Sequence, residues 1–572
     1  LQVIDKQQIA QMPVQSVTEL LSYVAGIDLR QRGVGGVQAD LSVLGGTFEQ
    51  CLVLVNGIKI VDPQTGHHTL NLPIDISQIE RIEILKGPAA RIFGANALTG
   101  AINIITQKID KSGVYVNSVL GSNFQTDSAT QKTYSLMQNR IRLQWAGKEH
   151  GHSVQVTYNQ SNGYRYNTAS KQLMTTYLGE AGNDKLGRFQ WIATWLNNDF
   201  GANAFYAAPF DNESEEQVKT GLMALNYQKQ IRNWKIMTRA YWRNNEDDYV
   251  FTRKNPSLYH NFHVTNVIGG ELHSSYTMKK GILGLGAETR SEQIHSTNLK
   301  DHQRMNTGFF AEYRAFLPKN IVLNMGAYAH YNSDFGFAVY PGLDIFVPMG
   351  EKWRAFGNVG TANRLPSYTD LYYVGPGNIG NSNLKPERAF VAEGGVKYVH
   401  NSFTFQASGF NRWVTDFIDW VKPQSTAPWQ PQNFQQIYTR GLETNGLFRN
   451  KQAAQKAFAL EQAQVGYTFL LADLGESSSL SKYALDNLTH QVVVNVTGKL
   501  FSHLYPTLAV RTFQRLNNEV YTLVDARLAY RSRYVDVFAD ATNLLNTEYK
   551  EMGLIPAPKL WTRLGLTLRW EK

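Results

Sequence analysis

From about Gly113 to the C-terminus, apolar and polar residues alternate in segment after segment. Near the end, Leu560, Leu564, Leu566, Leu568 and Trp570 share one parity. Trp561, Arg563, Gly565, Thr567 and Arg569 share the other. Val524, Ala526, Leu528 and Tyr530 alternate with Asp525, Arg527 and Ala529. Val535, Val537, Ala539 and Ala541 alternate with Tyr534, Asp536, Phe538 and Asp540, and Phe403, Phe405 and Ala407 with Thr404, Gln406 and Ser408. A period of two is the signature of a β-strand. Charged residues on one face of so many strands need water there, while the other face needs hydrocarbon. A β-sandwich also alternates, but its apolar face must close on a partner sheet. A propeller needs a blade repeat of about 40 residues, and none is evident. No run of about 18 apolar residues offers a membrane-spanning helix. The mean hydropathy of −0.33 suits a barrel, whose lumen-facing positions are polar. The reading is an all-β transmembrane barrel over 113–572. Residues 147–151 read as a short turn. The polar stretches 162–187, 211–219 and 372–387 read as long loops.

Residues 1–108 have a different texture, that of a compact α/β domain. Ser16 to Glu19 has the form of a capping box. Val17, Leu20, Leu21 and Val24 follow at helical spacing, and Gly26 can supply a left-handed stop. Asn56-Gly57 between two apolar runs predicts a hairpin with a type I′ turn. Ser77 to Glu80 repeats the capping-box form before a strand from Arg81 to Lys86, and Ala101 to Ile105 predicts a last buried strand. Leu1 opens in mid-element with no leader in view, which points to a processed or trimmed N-terminus.

The net charge is +9. Lys and Arg are scattered, with no basic block, recognition helix or zinc pattern, so nucleic acid is not an expected partner. Cys51 is the only cysteine, which excludes an intrachain disulfide, and its apolar neighbours predict a buried structural thiol. No HExxH, GxSxG or P-loop is present, and an enzyme is not expected.

Motifs then add a family. IERIEILKGP (79–88) and FGANALTGAINIIT (93–106) resemble the most specific plug signature of TonB-dependent receptors. QSVTELLSYVAG (15–26) resembles their early plug helix, and VLVNG (53–57) their central plug hairpin. NRLPSYTDLY (363–372) with GNSNLKPE (380–387) resembles their paired mid-barrel boxes. NFQQIYTRGLE (433–443) and DATNLLNTEY (540–549) resemble later barrel segments. The resemblance implies a 22-stranded antiparallel barrel in an outer membrane of a Gram-negative bacterium, with residues 1–108 lodged in its lumen as a plug. It also implies partnership with the TonB–ExbB–ExbD energy-coupling complex and with outer-membrane lipid, and in Bacteroidota members often with a surface lipoprotein. No TonB box precedes Leu1, and the chain does not end on the terminal aromatic usual in the family.

Two plug loops are then expected to face outward and contact ligand, 31–40 through Arg32, Gln38 and Asp40, and 62–71 through Gln64, Thr65, His67 and His68. Tyr164, Tyr166, Phe205 and Tyr206 are the barrel-loop candidates. Glu80, Arg81, Glu83, Lys86 and Arg91 are candidate plug–wall contacts. Loop economy looks most like the cobalamin-receptor branch. A ferric siderophore is the alternative, favoured by the net charge and by Arg30 and Arg32. The box 368–385 lacks the histidine of haem receptors. Calcium is a candidate loop cofactor, through Asp184, Asp199, Asp211, Glu213, Glu215 and Glu216. A passive porin or adhesin would share the barrel but not the plug motif.

Overall fold

The computed structural model describes residues 1–572 except 129, 207–209, 376, 425, 474–479, 482–487, 517, 518, 553 and 554. Among the described residues, 22 strands longer than two residues close into a ring, from Gly113–Thr126 to Trp561–Glu571. Consecutive strands pair antiparallel, and the last closes on the first with Leu566 opposite Ser118. The two-residue strand Leu480–Ser481 adds at the rim beside Val421 and Lys422. Closure leaves no unpaired edge in hydrocarbon, which is what a sheet needs to span a bilayer.

The alternation sorts as its chemistry requires. Leu564, Leu566 and Trp570 point outward and are exposed, whereas Trp561 and Arg563 point inward and are buried. Leu528 and Tyr530 are outward; Asp525 and Arg527 are inward. Ile141, Leu143 and Trp145, or Val156 and Leu173, continue the same apolar outer face. Among the described residues, no helix is long and apolar enough to cross a membrane.

One end of the barrel carries short turns, such as 147–149, 232–233, 279–280 and 401–402. The other carries 202–214, 251–259, 365–386 and 543–560. One expected loop is in part a strand: Ser170–Asn183 crosses the wall. Its Ser170, Gln172 and Thr176 face the lumen and are buried there, so polarity that looked like a loop is the wet face of a strand. Likewise the strand Glu215–Ile231 begins inside the stretch read as loop 211–219.

The first hundred residues fill the bore. Their sheet runs, in spatial order, Gln2–Asp5, Ile79–Lys86, Gly100–Thr106, Cys51–Val55 and Ile58–Ile60. Only the pair Cys51–Val55 with Gly100–Thr106 is parallel. Ser16 caps the helix Val17–Leu21 by accepting from Glu19 N at 3.1 Å. Asn56 (φ 50°) and Gly57 (φ 79°) both take the left-handed conformation that a type I′ turn demands. At Gly57 the positive φ favours glycine, and a Cβ would stand 2.5 Å from the Arg239 guanidinium, which would have to shift. The first expected capping box is half formed, since the Glu19 carboxylate accepts from Gln15 N at 2.8 Å rather than from Ser16 N, and the second is not formed. Asp75, not Ser77, caps a single 3-10 turn, Ile76–Gln78, by accepting from Ser77 N at 2.9 Å, and the Ser77 hydroxyl donates to Gln155 on the wall. Cys51 is buried, and burial pushes its thiol up to about 12, so it is a packing residue.

Plug and wall meet through apolar clusters, such as the one that joins plug Ala90 and Leu98 to wall Tyr328 and Ala362, and through many ion pairs. Wall arginines receive plug carboxylates: Arg515 with Asp28 (2.7 Å), Arg140 with Asp75 (2.8 Å), Arg243 with Asp62 (2.8 Å) and Arg563 with Glu19 (2.9 Å). Burial alone would raise the Asp28 carboxyl, but Arg515 and Arg30 hold it well below the usual carboxylate range. Plug cations pair in the other direction: Lys59 with Glu288, Lys86 with Glu443, and Arg91 with Glu312 (2.9 Å) and Asp344 (2.6 Å). Each pair is specific, yet each partner can be rehydrated when the plug shifts, which an apolar seam would resist.

Candidate functional site

The loops at the plug apex lie toward the long-loop end. The hairpin Ile27–Gln31 and Ala39–Val43 carries the first. At its tip Gly36 (φ 84°) comes so close to the wall that a Cβ would stand 3.3 Å from the Gln172 amide. Arg32 sits behind the tip, buried. It donates to the Phe205 carbonyl at 2.7 Å, pairs with Asp40 at 3.3 Å and lies over the Tyr206 ring at 5.1 Å. The Gln38 side-chain amide stands 3.1 Å from the Tyr206 hydroxyl.

In the second loop Thr65 caps the 3-10 turn Gly66–Leu70. His67 is fixed between Asp40, 2.6 Å from its Nδ1, and the Phe48 ring, stacked at 4.3 Å. Burial lowers the His67 pKa and Asp40 raises it, the first prevailing. For Asp40 burial is again opposed, here by His67 and Arg32, and its carboxyl is held well below the usual range. His68 lies 3.2 Å from Asp247 on the wall, and Gln64 donates to the same carboxylate oxygen at 2.6 Å. Burial works against a charge on His68, but Asp247 outweighs it and the imidazole is pushed up to about 9.

The wall holds this loop through the box after the strand Trp353–Arg364. Ser367 caps the short helix Tyr368–Tyr372 in a full capping box with Asp370. The freed amides of Tyr368 and Thr369 donate to the carbonyls of Pro63 and Gln64 at 2.8 and 3.0 Å. Arg364, 3% exposed, gathers three carboxylates: Glu49 of the plug, Asp370 at 2.5 Å and Glu387 at 2.9 Å. Trp420 donates its indole N–H to Asp370 at 3.0 Å.

These elements frame one cleft. Gln38, Gln64, Thr65, His67, His68 and Tyr206 line it, all singled out in the sequence. Arg32, Asp40 and Phe205 stand behind that lining and position it. Tyr164 and Tyr166 do not line it. Tyr164 is buried with Tyr134 and Trp561 and donates to the Pro556 carbonyl at 2.9 Å; Tyr166 donates to Glu213 at 2.5 Å. Both aromatics brace loops. Residues 207–209, which follow Phe205 and Tyr206 in the same stretch, lie outside the described residues.

Of the five candidate plug–wall contacts, Lys86 and Arg91 reach wall carboxylates. Arg81 and Glu83 pair with each other at 2.8 Å, and Glu80 falls at a register shift and forms no ion pair among the described residues. The loop acids do not gather as one group. Asp184 stands at the short-turn end. Glu213 is drawn down to about 2 by hydrogen bonds from Lys254, Tyr166 and Arg253. Glu216 instead faces the cleft, with wall residues the sequence did not single out: Asp247, Tyr249, Asn261 and His263.

Two family models match the chain: the TonB-dependent receptor plug domain over residues 1–101, and the TonB-dependent receptor-like β-barrel over 108–544. Among curated relatives, a vitamin B12 transporter, BtuB, of Vibrio vulnificus (strain YJ016) is 24% identical across 96% of this chain and 88% of its own. A BtuB of Vibrio cholerae is 23% identical across 97% and 90%. Among solved structures, the siderophore receptor PirA of Acinetobacter baumannii superposes with a TM-score of 0.80 at 14% identity, covering 100% of this chain and 98% of that one. A variant of the ferric enterobactin receptor PfeA of Pseudomonas aeruginosa gives 0.79 at 15%, covering 99% of each. These relatives are transporters and receptors, not enzymes. With both halves matched in order, the chain belongs to the TonB-dependent receptors.

Proposed function

We propose that this receptor captures cobalamin at the plug apex, on the outer face of a Gram-negative outer membrane, and passes it to the periplasm when TonB pulls on the plug. The chemistry of the cleft carries this reading. Its lining includes the aromatics Phe48, Tyr206, Tyr249, Tyr373 and Trp420 and the amides Gln38, Gln64, Asn261 and Asn378. Such a surface suits a large ligand rich in amides and flat rings. Its charged members run the other way from an anion site. The carboxylates Glu49, Glu216, Asp247 and Asp370 outnumber the cations Arg364 and His68, each already paired with carboxylate. The two arginines that favoured an anionic iron chelate are engaged, Arg30 with Asp28 and Arg32 with Asp40. Nearly full-length relatives named as vitamin B12 transporters support the same choice.

Energy is to come from the TonB–ExbB–ExbD complex, and the apolar outer belt is to sit in lipid. The plug–wall ion pairs are the contacts that must rearrange for passage. Isothermal calorimetry of the purified receptor in detergent tests the ligand. Cyanocobalamin is expected to give a saturable one-to-one heat, and a panel of ferric chelates none. Saturable heat with a ferric chelate and none with cyanocobalamin would transfer the cleft to iron.

A further inference from the structure

Where the second apical loop leans on the wall, three metal-ligating side chains converge. His68 comes from the plug. Glu216 and Asp247 come from the adjacent strands Glu215–Ile231 and Trp234–Val250, whose register sets Glu216 opposite Tyr249 and Val218 opposite Asp247. One donor atom from each lies within 4.8 Å of the others. All three are at least nine-tenths buried. Each carboxylate has one oxygen engaged: Asp247 accepts from Gln64 at 2.6 Å, and Glu216 from the Tyr206 hydroxyl at 2.7 Å. The other oxygen of each has no hydrogen-bond partner among the described residues. Neither has the side-chain oxygen of Gln64, a buried residue outside the triad whose amide faces it. Three orphaned buried acceptors on neighbouring residues are costly unless a proton or a cation joins them. Of the nearby cations, Arg243 is engaged by Asp62 at 2.8 Å and by the His68 carbonyl at 3.2 Å, and the His68 ring reaches only the Asp247 oxygen that Gln64 already holds. His263 is turned to Ser296, 2.8 Å from its Nδ1.

We propose that this cluster binds a divalent transition-metal cation of the zinc class. His68 Nε2 and one oxygen each from Asp247 and Glu216 are its ligands, with the Gln64 oxygen placed to complete the set. Tetrahedral bonds of about 2.0–2.1 Å bring donors to roughly 3.3 Å apart, so the group closes by side-chain movement alone. An imidazole ligand selects against calcium and magnesium, which take oxygen. The outer partner of His68 is in place. The Asn71 amide is 3.0 Å from Nδ1, and with its oxygen turned inward it accepts the Nδ1 proton and fixes the ring, as metal-bound histidines require. The ion ties plug to wall at the floor of the cleft. The inference does not depend on which nutrient the cleft takes.

Cobalt titration of the whole receptor, purified in detergent and stripped with EDTA, tests it. One equivalent of Co²⁺ is expected to develop the intense visible absorption of tetrahedral cobalt, and Zn²⁺, not Ca²⁺, is expected to erase it. His68→Ala and Asp247→Asn are each expected to weaken binding by at least about 100-fold, beyond the loss an outer partner causes. The isosteric Glu216→Gln should weaken it as well. His295→Ala, a histidine near the end of the wall strand Gly281–Ser296 and outside the cluster, should not. Heat-modifiable gel mobility checks that each variant is a folded barrel. Absence of the one-equivalent signal in the wild-type receptor, its survival in folded His68→Ala or Asp247→Asn, or its displacement by Ca²⁺ would each overturn the proposal.

Discussion

Replacing Arg364 by methionine is expected to loosen the junction between plug apex and wall by about 3–5 kcal/mol, the cost of leaving buried carboxylates without their cation. The guanidinium joins a plug residue, Glu49, to Asp370 and Glu387 of the wall. Gln50 also donates to Glu387 at 2.6 Å. Once the cation is gone, Asp370 loses the partner that steadies the short helix, and that helix holds loop 62–71 through two amides. Hydrogen–deuterium exchange should therefore accelerate in Gln50, Cys51 and residues 62–71, while the hairpin at Asn56-Gly57 stays protected. Ligand affinity should fall with it, because Arg364 and Asp370 line the cleft. Arg364→Lys should recover only part, since a point charge cannot reproduce a planar fork that serves three carboxylates. Wild-type exchange rates at 62–71 in Arg364→Met would refute this role.

The second large effect is on transport alone. A Cβ at Gly360 of the wall would stand 3.4 Å from the Pro88 Cβ of the plug. Disulfides prefer about 3.8 Å, so the double variant Pro88→Cys, Gly360→Cys closes after a shift of a few tenths of an ångström. Neither position carries an ion pair, and buried Cys51, with its thiol pushed up to about 12, will not compete. The oxidised receptor is expected to bind ligand normally and to transport none above background, with full recovery on reduction. Undiminished uptake with the crosslink quantitatively formed would mean that this part of the plug never leaves the wall.

Much of this architecture was legible because the bilayer enforces it. On the last strand, Trp561–Glu571, the only way to place Leu564 and Leu566 in oil and Arg563 in water is an inward–outward alternation, and the sequence records it directly. Ser170–Asn183 escaped because a lumen-facing polar row next to a filled bore looks like a loop. The plug loop of the cleft was legible too: His67 and His68 stand in an otherwise polar turn. Its opposite wall was not. Parity tells which face Glu216 and Asp247 occupy but not how high each sits, nor that register sets them beside a histidine of the plug. Motif likeness flagged the Arg364 box without its purpose, which needs Glu49 in the same place. Tyr164 and Tyr166 misled because an aromatic in a loop serves bracing and binding equally well.

All of these effects presuppose that residues 1–106 seal an otherwise open bore. Single-channel recording in planar bilayers reads that directly. The intact receptor should be silent, and the same chain lacking residues 1–106 should conduct in large, stable steps. Stable conductance of that size from the intact, folded receptor would contradict an occluding plug and leave a passive pore in its place.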